Sequence, residues 1–440
     1  MNLHADASLI RALGLLVPLC VASALWAWRK PARRPAAAAL LACVWNLPAL
    51  LVVQLLAVRF GWWHFEARGG LLLGMPVDLY LGWVLLWGAI PLLAFPRVPF
   101  GLMAAIMLGV DLCLMPACRP VVELGERWLV GEGVALALCL VPSQLLARWT
   151  LRGRHLARRA TLQMLAFGGL MFGLLPAVII EQTGGGWSQF LERPAWLNGL
   201  ALQLLALPAV VGLSALQEFV TRGRGTPLPY DPPQRLVTSG VYSYVANPMQ
   251  LATCLLLAGW GVFLGSVWVA CAGVMCVVYG AGIAAWDEGG DLKTRFGADW
   301  LEYRRAVPLW WPRWRPFRNA GARLYVAESC GMCAEVARWL KARRPVALEI
   351  VAAEDHPARD LRRMTYETGD GHTTTSAEGV AAFARALEHL NFGWAFAACA
   401  IRLPLVCEFV QLLVDAAGGG PRLIRRRRAG VTCSVARSRD

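Results

Sequence analysis

Residues 196–249 read WLNGLALQLLALPAVVGLSALQEFVTRGRGTPLPYDPPQRLVTSGVYSYVANPM. The opening part, 196–220, is an apolar run. Roughly 20 such residues, at about 1.5 Å of rise each, cross the hydrocarbon core of a bilayer. The closing part, from Arg222 to Met249, holds too many prolines and glycines to be a helix, yet a further apolar run follows at 249–265. Irregular backbone between two membrane spans survives where it lines a protein-enclosed cavity. The stretch therefore predicts an all-α polytopic membrane bundle with one non-helical element built into it.

Working outward, runs of spanning length fall at 9–28, 36–57, 71–94, 99–117, 128–147, 161–181, 196–220, 249–265 and 267–285, giving about nine spans. The last two are short and joined by Gly265-Ser266, so they read as a tight helical hairpin. Only 16% of the 440 residues are charged against 57% hydrophobic, whereas a soluble chain carries about 25% charged residues. The net charge of +14 does not point to nucleic acid, because the arginines cluster in short loops between apolar runs. Arg29, Lys30, Arg33 and Arg34, then Arg148 to Arg159, then Arg222, Arg224 and Arg235 mark alternate loops as cytoplasmic. This bias sets the N-terminus outside and everything after residue 286 in the cytoplasm, in an inner-membrane protein of bacterial type. The first apolar run lacks a basic leader and a small-residue cleavage site, so it reads as a retained span.

The character changes near residue 313. Pro312 to Pro316 forms a basic, tryptophan-bearing linker (314–322 in the domain scheme) at the membrane surface. A strand-like run, Arg323 to Val326, precedes Cys330-Gly331-Met332-Cys333. Next comes a helical stripe of Met332, Val336, Trp339 and Leu340, a second strand-like run from Ala347 to Val351, and a helix around 377–390. This β-α-β order opens an α/β sandwich over 323–428, thioredoxin-like in kind, followed by a disordered tail at 429–440. Leu390 to Val414 is apolar, but Arg402, Pro404 and Glu408 favour the helical end of this domain over a tenth span.

Most of the 13 cysteines sit singly in apolar runs, as small buried hydrophobes. Cys330 and Cys333 have the spacing of redox chemistry, with Cys330 as attacking thiolate at a helix N-terminus and Cys333 as resolving thiol. A zinc site would need a second pair, and Cys399 and Cys407 have the wrong spacing. No metal is expected.

Leu236, Val237, Gly240, Tyr242, Tyr244, Asn247, Pro248 and Met249, then Glu288, Leu292, Phe296, Gly297, Tyr303, Val307 and Pro308, fall in order along 222–313. In this the chain resembles the isoprenylcysteine carboxyl methyltransferase and phospholipid methyltransferase membrane enzymes. The resemblance implies S-adenosylmethionine at the cytoplasmic end of the last spans, within a methyltransferase-like domain over 161–313. Asn247 and the backbone at Pro248 would hold its polar groups, Glu288 its amino group or ribose, and Gly240, Tyr242, Tyr244 and Tyr303 would shape and line the pocket. Ala246 stands where the family has Arg, Gln250 where it has Tyr, and Gly289 where it has the second acid. The acceptor it implies is a lipid or other lipophilic, isoprenoid-type molecule.

Leu324, Tyr325, Cys330, Gly331 and Cys333, with Ala381 to Leu390, Trp394 and Arg402 to Pro404, resemble the DCC family of thiol–disulfide oxidoreductases. That implies a cytoplasmic thiol partner. The family's Asp is absent, and Glu328 is its nearest substitute. Residues 1–160 form a further bundle in which Trp63-His64-Phe65, Gly70, Gly74, Pro76 and Asp78 faintly resemble a lycopene cyclase domain. Intramembrane Asp78 and Asp111 are costly and face either a cavity or the headgroups. The leading reading is a membrane methyltransferase carrying a dithiol domain. Two others stay open: a membrane-anchored oxidoreductase with a degenerate methyltransferase part, and a non-catalytic scaffold.

Overall fold

The computed structural model describes residues 3–184, 186–187, 192–228, 231–317, 321–369 and 374–427, with the side chains of 3–6, 283–289 and 374 left out. The tail expected at 429–440 lies outside the described residues. Among the described residues, seven helices are long and apolar enough to cross a membrane: Ala7–Arg29, Arg33–Phe60, Val77–Ala94, Phe100–Ala117, Trp128–Arg152, Leu156–Thr183 and Ala195–Gly223. Two shorter apolar helices, Pro248–Leu264 and Val267–Gly282, form the expected hairpin. The third span starts later than its apolar run. Gly70 and Gly74 take left-handed backbone, and Leu71–Leu72 pairs with Met75–Pro76 before the helix begins at Val77.

The chain divides into two compact units. The first holds Met1–Leu205, Phe219–Gln234 and Cys254–Val278. Its core gathers Trp62, Trp63, Leu79, Tyr80, Trp83, Trp87, Met103 and Met107. Leu9, Leu13, Leu40, Leu55, Leu102, Leu204, Val262 and Trp268 point outward instead. Apolar side chains on both the inside and the outside of helices suit a lipid solvent. Asp78 is not isolated, since Arg11 Nε donates to it over 2.8 Å. The Trp63–Phe65 strand pairs antiparallel with Val122–Leu124, with His64 opposite Glu123.

The second unit holds Ala206–Glu218, Arg235–Thr253 and Tyr279–Asp440. Its four-stranded sheet centres on Ala322–Val326, parallel to Leu348–Ala352 on one side and antiparallel to Thr365–Gly369 on the other. Thr374–Glu378 forms the far edge. Helix Gly331–Ala342 connects the two parallel strands and buries Leu340 against Leu324, Val326 and Tyr366. Each such leucine contributes about 2 kcal/mol of transfer free energy. Met332 departs from the expected stripe: it is exposed, because it sits in the first turn, before the helix reaches the sheet. The helix expected around 377–390 is Val380–Leu387, and the residues before it extend as strand. The apolar stretch after Leu390 is no straight span. Helices Phe392–Ile401 and Pro404–Gly419 meet at 89°.

Candidate functional site

Two parts of the 222–313 motif, 235–253 and 279–313, converge within the second unit. Gly240 takes a φ of +60°, which opens the short 3-10 turn Gly240–Ser243. A Cβ at Gly240 would come within 2.7 Å of Glu218 Cγ, so glycine is required twice over, for conformation and for space. The Tyr303 hydroxyl donates to the Tyr242 carbonyl over 2.8 Å. Backbone amides of Ala246 and Asn247 donate to the carbonyls of Pro308 and Leu309, at 2.9 and 3.2 Å. Tyr303, Ala246 and Val307 share a buried cluster with Leu236 and Trp300 packed against it.

The predicted residues divide into frame and surface. Tyr244 is fully buried, its hydroxyl donating to the Glu388 carbonyl over 2.9 Å and its ring 5.7 Å from Phe392. Tyr242 and Tyr303 are buried likewise. Pro248 occupies the first position of helix Pro248–Leu264, where a missing N–H costs nothing. Asn247 is half-buried at the start of that helix and donates from Nδ2 to Gln250 Oε1 over 3.3 Å. The side chain of Glu288, in helix Ala285–Ala306, lies outside the described ones.

Sequence reasoning missed Trp310. A Cβ at Gly280 would meet both Gln250 Oε1 and the Trp310 ring at 3.0 Å. The indole N–H of Trp310 is withdrawn from solvent without a hydrogen-bond partner among the described residues. Two carboxamides, an unpartnered donor and an aromatic face thus meet beside a glycine. Such a donor set fits a ligand that offers hydrogen-bond acceptors and a positive charge. The signal was in the sequence, two residues after Pro308.

Glu218 was also missed. Its carboxylate is fully buried, accepts from the Ser239 hydroxyl at 2.6 Å, and pairs with Arg385 at 2.8 Å and with Arg402. Arg402 and Arg385 also reach Glu388, at 2.5 and 3.3 Å. Two acids and two arginines so neutralise one another behind the Gly240 turn. Residues 313–317 are pinned to the same turn, Arg313 and Phe317 amides donating to the Tyr244 and Ser243 carbonyls.

In the sheet module, Cys330 caps helix Gly331–Ala342 with extended backbone. The Cys330 thiol is held below its ordinary value, chiefly by the hydrogen bond from Cys333, and Arg422 adds to this. Burial and then the neighbouring Cys330 push Cys333 up to about 12. The acid that organises this loop is Glu354. It accepts from the amides of Glu328 and Ser329 and from the Ser329 hydroxyl. Glu328 itself pairs with Arg427 over 2.7 Å. At the exposed ribbon of the first unit, His64, Glu66 and Glu123 bring donor atoms within 4.8 Å of one another.

A family model described as phospholipid methyltransferase matches residues 199–289. The match covers the Pro/Gly-rich loop and the hairpin and stops short of Tyr303 and Trp310. No curated protein and no solved structure matches the chain. Over these residues the chain is similar to membrane phospholipid methyltransferases.

Proposed function

We propose that the protein is an integral membrane methyltransferase that takes its methyl group from S-adenosylmethionine and passes it to a lipophilic, isoprenoid-type or lipid acceptor at the cytoplasmic face. The observation that carries the reading is the hydrogen-bonded convergence of the Gly240–Asn247 turn with Tyr303–Leu309. Asn247, Gln250 and Trp310, with the acid at Glu288, would hold the donor. When bound, it supplies a methyl group on sulfonium, lost to an acceptor lone pair as the sulfur keeps the bonding electrons. Positioning supplies most of the acceleration of such a displacement, and a strong base is not needed. Tyr244 and Tyr303 serve as frame, holding the turn so that Asn247 faces the ligand. Calorimetry with S-adenosylmethionine on detergent-purified protein should give saturable binding. Asn247→Ala should weaken it about tenfold, the loss of one hydrogen bond to a charged ligand, and Glu288→Ala should weaken it too. Absence of binding in the wild type sinks the reading.

The contrast between Cys330 and Cys333 supports a second activity, thiol–disulfide exchange by a thioredoxin-like module. The Cys330 thiolate would attack a disulfide of a protein partner, breaking its S–S bond to give a mixed disulfide. Cys333, losing its proton to solvent, would then form the intramolecular disulfide and release the partner as dithiol. Alkylation rate followed against pH tests the poise. Because the thiolate is the reactive form, wild-type Cys330 should begin to react at lower pH than an ordinary thiol. Cys333→Ala, which removes the hydrogen bond, should move that rise to higher pH. An unmoved profile would count against the dithiol reading.

A further inference from the structure

The first unit contains a cavity of about 40 Å³ between its spanning helices. Gln54, Trp63, Trp83, Trp87, Asp111 and Glu132 face it among apolar neighbours. Asp111 and Glu132 are 1% and 3% exposed, and their carboxyl groups lie within hydrogen-bond reach of each other. Asp111 Oδ1 accepts from the Trp83 indole over 2.8 Å, and Gln54 Oε1 accepts from the Trp63 indole over 3.3 Å. No arginine, lysine or histidine among the described residues forms a salt bridge with either acid. The other titratable groups electrostatically coupled to the pair are Cys118 and Cys139.

Asp111 Oδ2 has no donor besides the Glu132 carboxyl among the described residues, and the indole N–H of Trp87, a residue 2% exposed, finds no acceptor. Two adjacent carboxyl groups in a low-dielectric interior cannot both ionise, so the pair holds at least one proton. A negative charge on the pair has no cation partner among the described residues, and burying it alone costs several kcal/mol. A water needs roughly 10–15 Å³ of such space, so the cavity has room for a small ion or a few waters. What the site lacks is one positive charge and one hydrogen-bond acceptor for Trp87.

We infer that the Asp111–Glu132 cavity binds one small monovalent cation carried with water, either an alkali ion or an exchangeable proton. Water accepts from the Trp87 N–H while the cation sits against the carboxyl pair. This placement is independent of the methyl-donor reading and involves none of its residues.

The full-length protein in detergent tests it by thermal unfolding. At constant ionic strength, NaCl or KCl in place of choline chloride should raise Tm by about 1–2 °C if an alkali ion occupies the site tenfold above its Kd. If the occupant is a proton, the salts should act alike and Tm should instead respond to pH. In either case Asp111→Asn and Glu132→Gln should abolish the response, and Trp87→Phe should weaken it. Variants that respond as the wild type does would overturn the inference. Should a variant fail to fold, infrared spectra of the wild type read the protonated carboxyl directly. A carboxyl band insensitive to both pH and salt would overturn it equally.

Discussion

Replacing Arg402 with Met is expected to cost about 3–5 kcal/mol of stability, the usual penalty for stranding one member of a buried ion pair. Arg402 is 6% exposed and shared between Glu218 and Glu388, which are 0% and 1% exposed. With Arg402 gone, the two carboxylates share the Arg385 guanidinium. Removing Glu218 and Arg402 together restores the balance, leaving the Glu388–Arg385 pair, and should cost much less than the sum of the single changes. Thermal unfolding of the four proteins in the cycle measures this coupling. Additive losses would mean that the contacts do not share charge in the way their geometry implies. The same change should loosen the Gly240 turn, because Glu218 also holds Ser239. On the proposed reading S-adenosylmethionine affinity should fall in parallel, and the double variant, which also removes the Ser239 partner, should not recover it.

Gly273→Val is expected to cost about 3 kcal/mol, toward the upper end for overpacking. In the hairpin of Pro248–Leu264 and Val267–Tyr279, a Cβ at Gly273 would sit 2.5 Å from the Ala258 amide nitrogen. At Gly261 it would sit 2.1 Å from that of Ala270. The obstructing atoms are backbone, so no side chain can rotate away. Helices this close associate through dispersion and carbonyl contacts, since lipid offers no hydrophobic drive between them. Gly109→Ala, with nothing within 4 Å, is the matched control and should be silent or slightly stabilising. A thermal scan showing equal Tm for both variants would refute this account of the hairpin.

The spanning helices were legible because an apolar run of some twenty residues has no stable alternative to crossing a bilayer. The non-helical loop was legible because prolines and glycines between two spans demand an explanation. What stayed hidden depended on distant partners. Glu218 closes an apolar run, and its arginines lie 167 and 184 residues away by number. Asp111 was marked as costly, but nothing local tied it to Glu132. Thr365–Gly369 and Thr374–Glu378 escaped notice because their polar, threonine-rich faces carry no apolar alternation. Tyr244 read as a lining residue of a pocket. Its hydroxyl is spent on the Glu388 carbonyl instead, a contact 144 positions apart that no spacing rule reveals.

The 184-residue gap between Glu218 and Arg402 has a consequence for synthesis. At 5–20 residues per second the ribosome needs roughly 10–40 s to travel between them. Until Arg385 is added, 167 residues on, the nascent chain carries a carboxylate for which neither guanidinium has been translated. The translocon, or a protein that shields unfinished helices, must tolerate that acid while it waits.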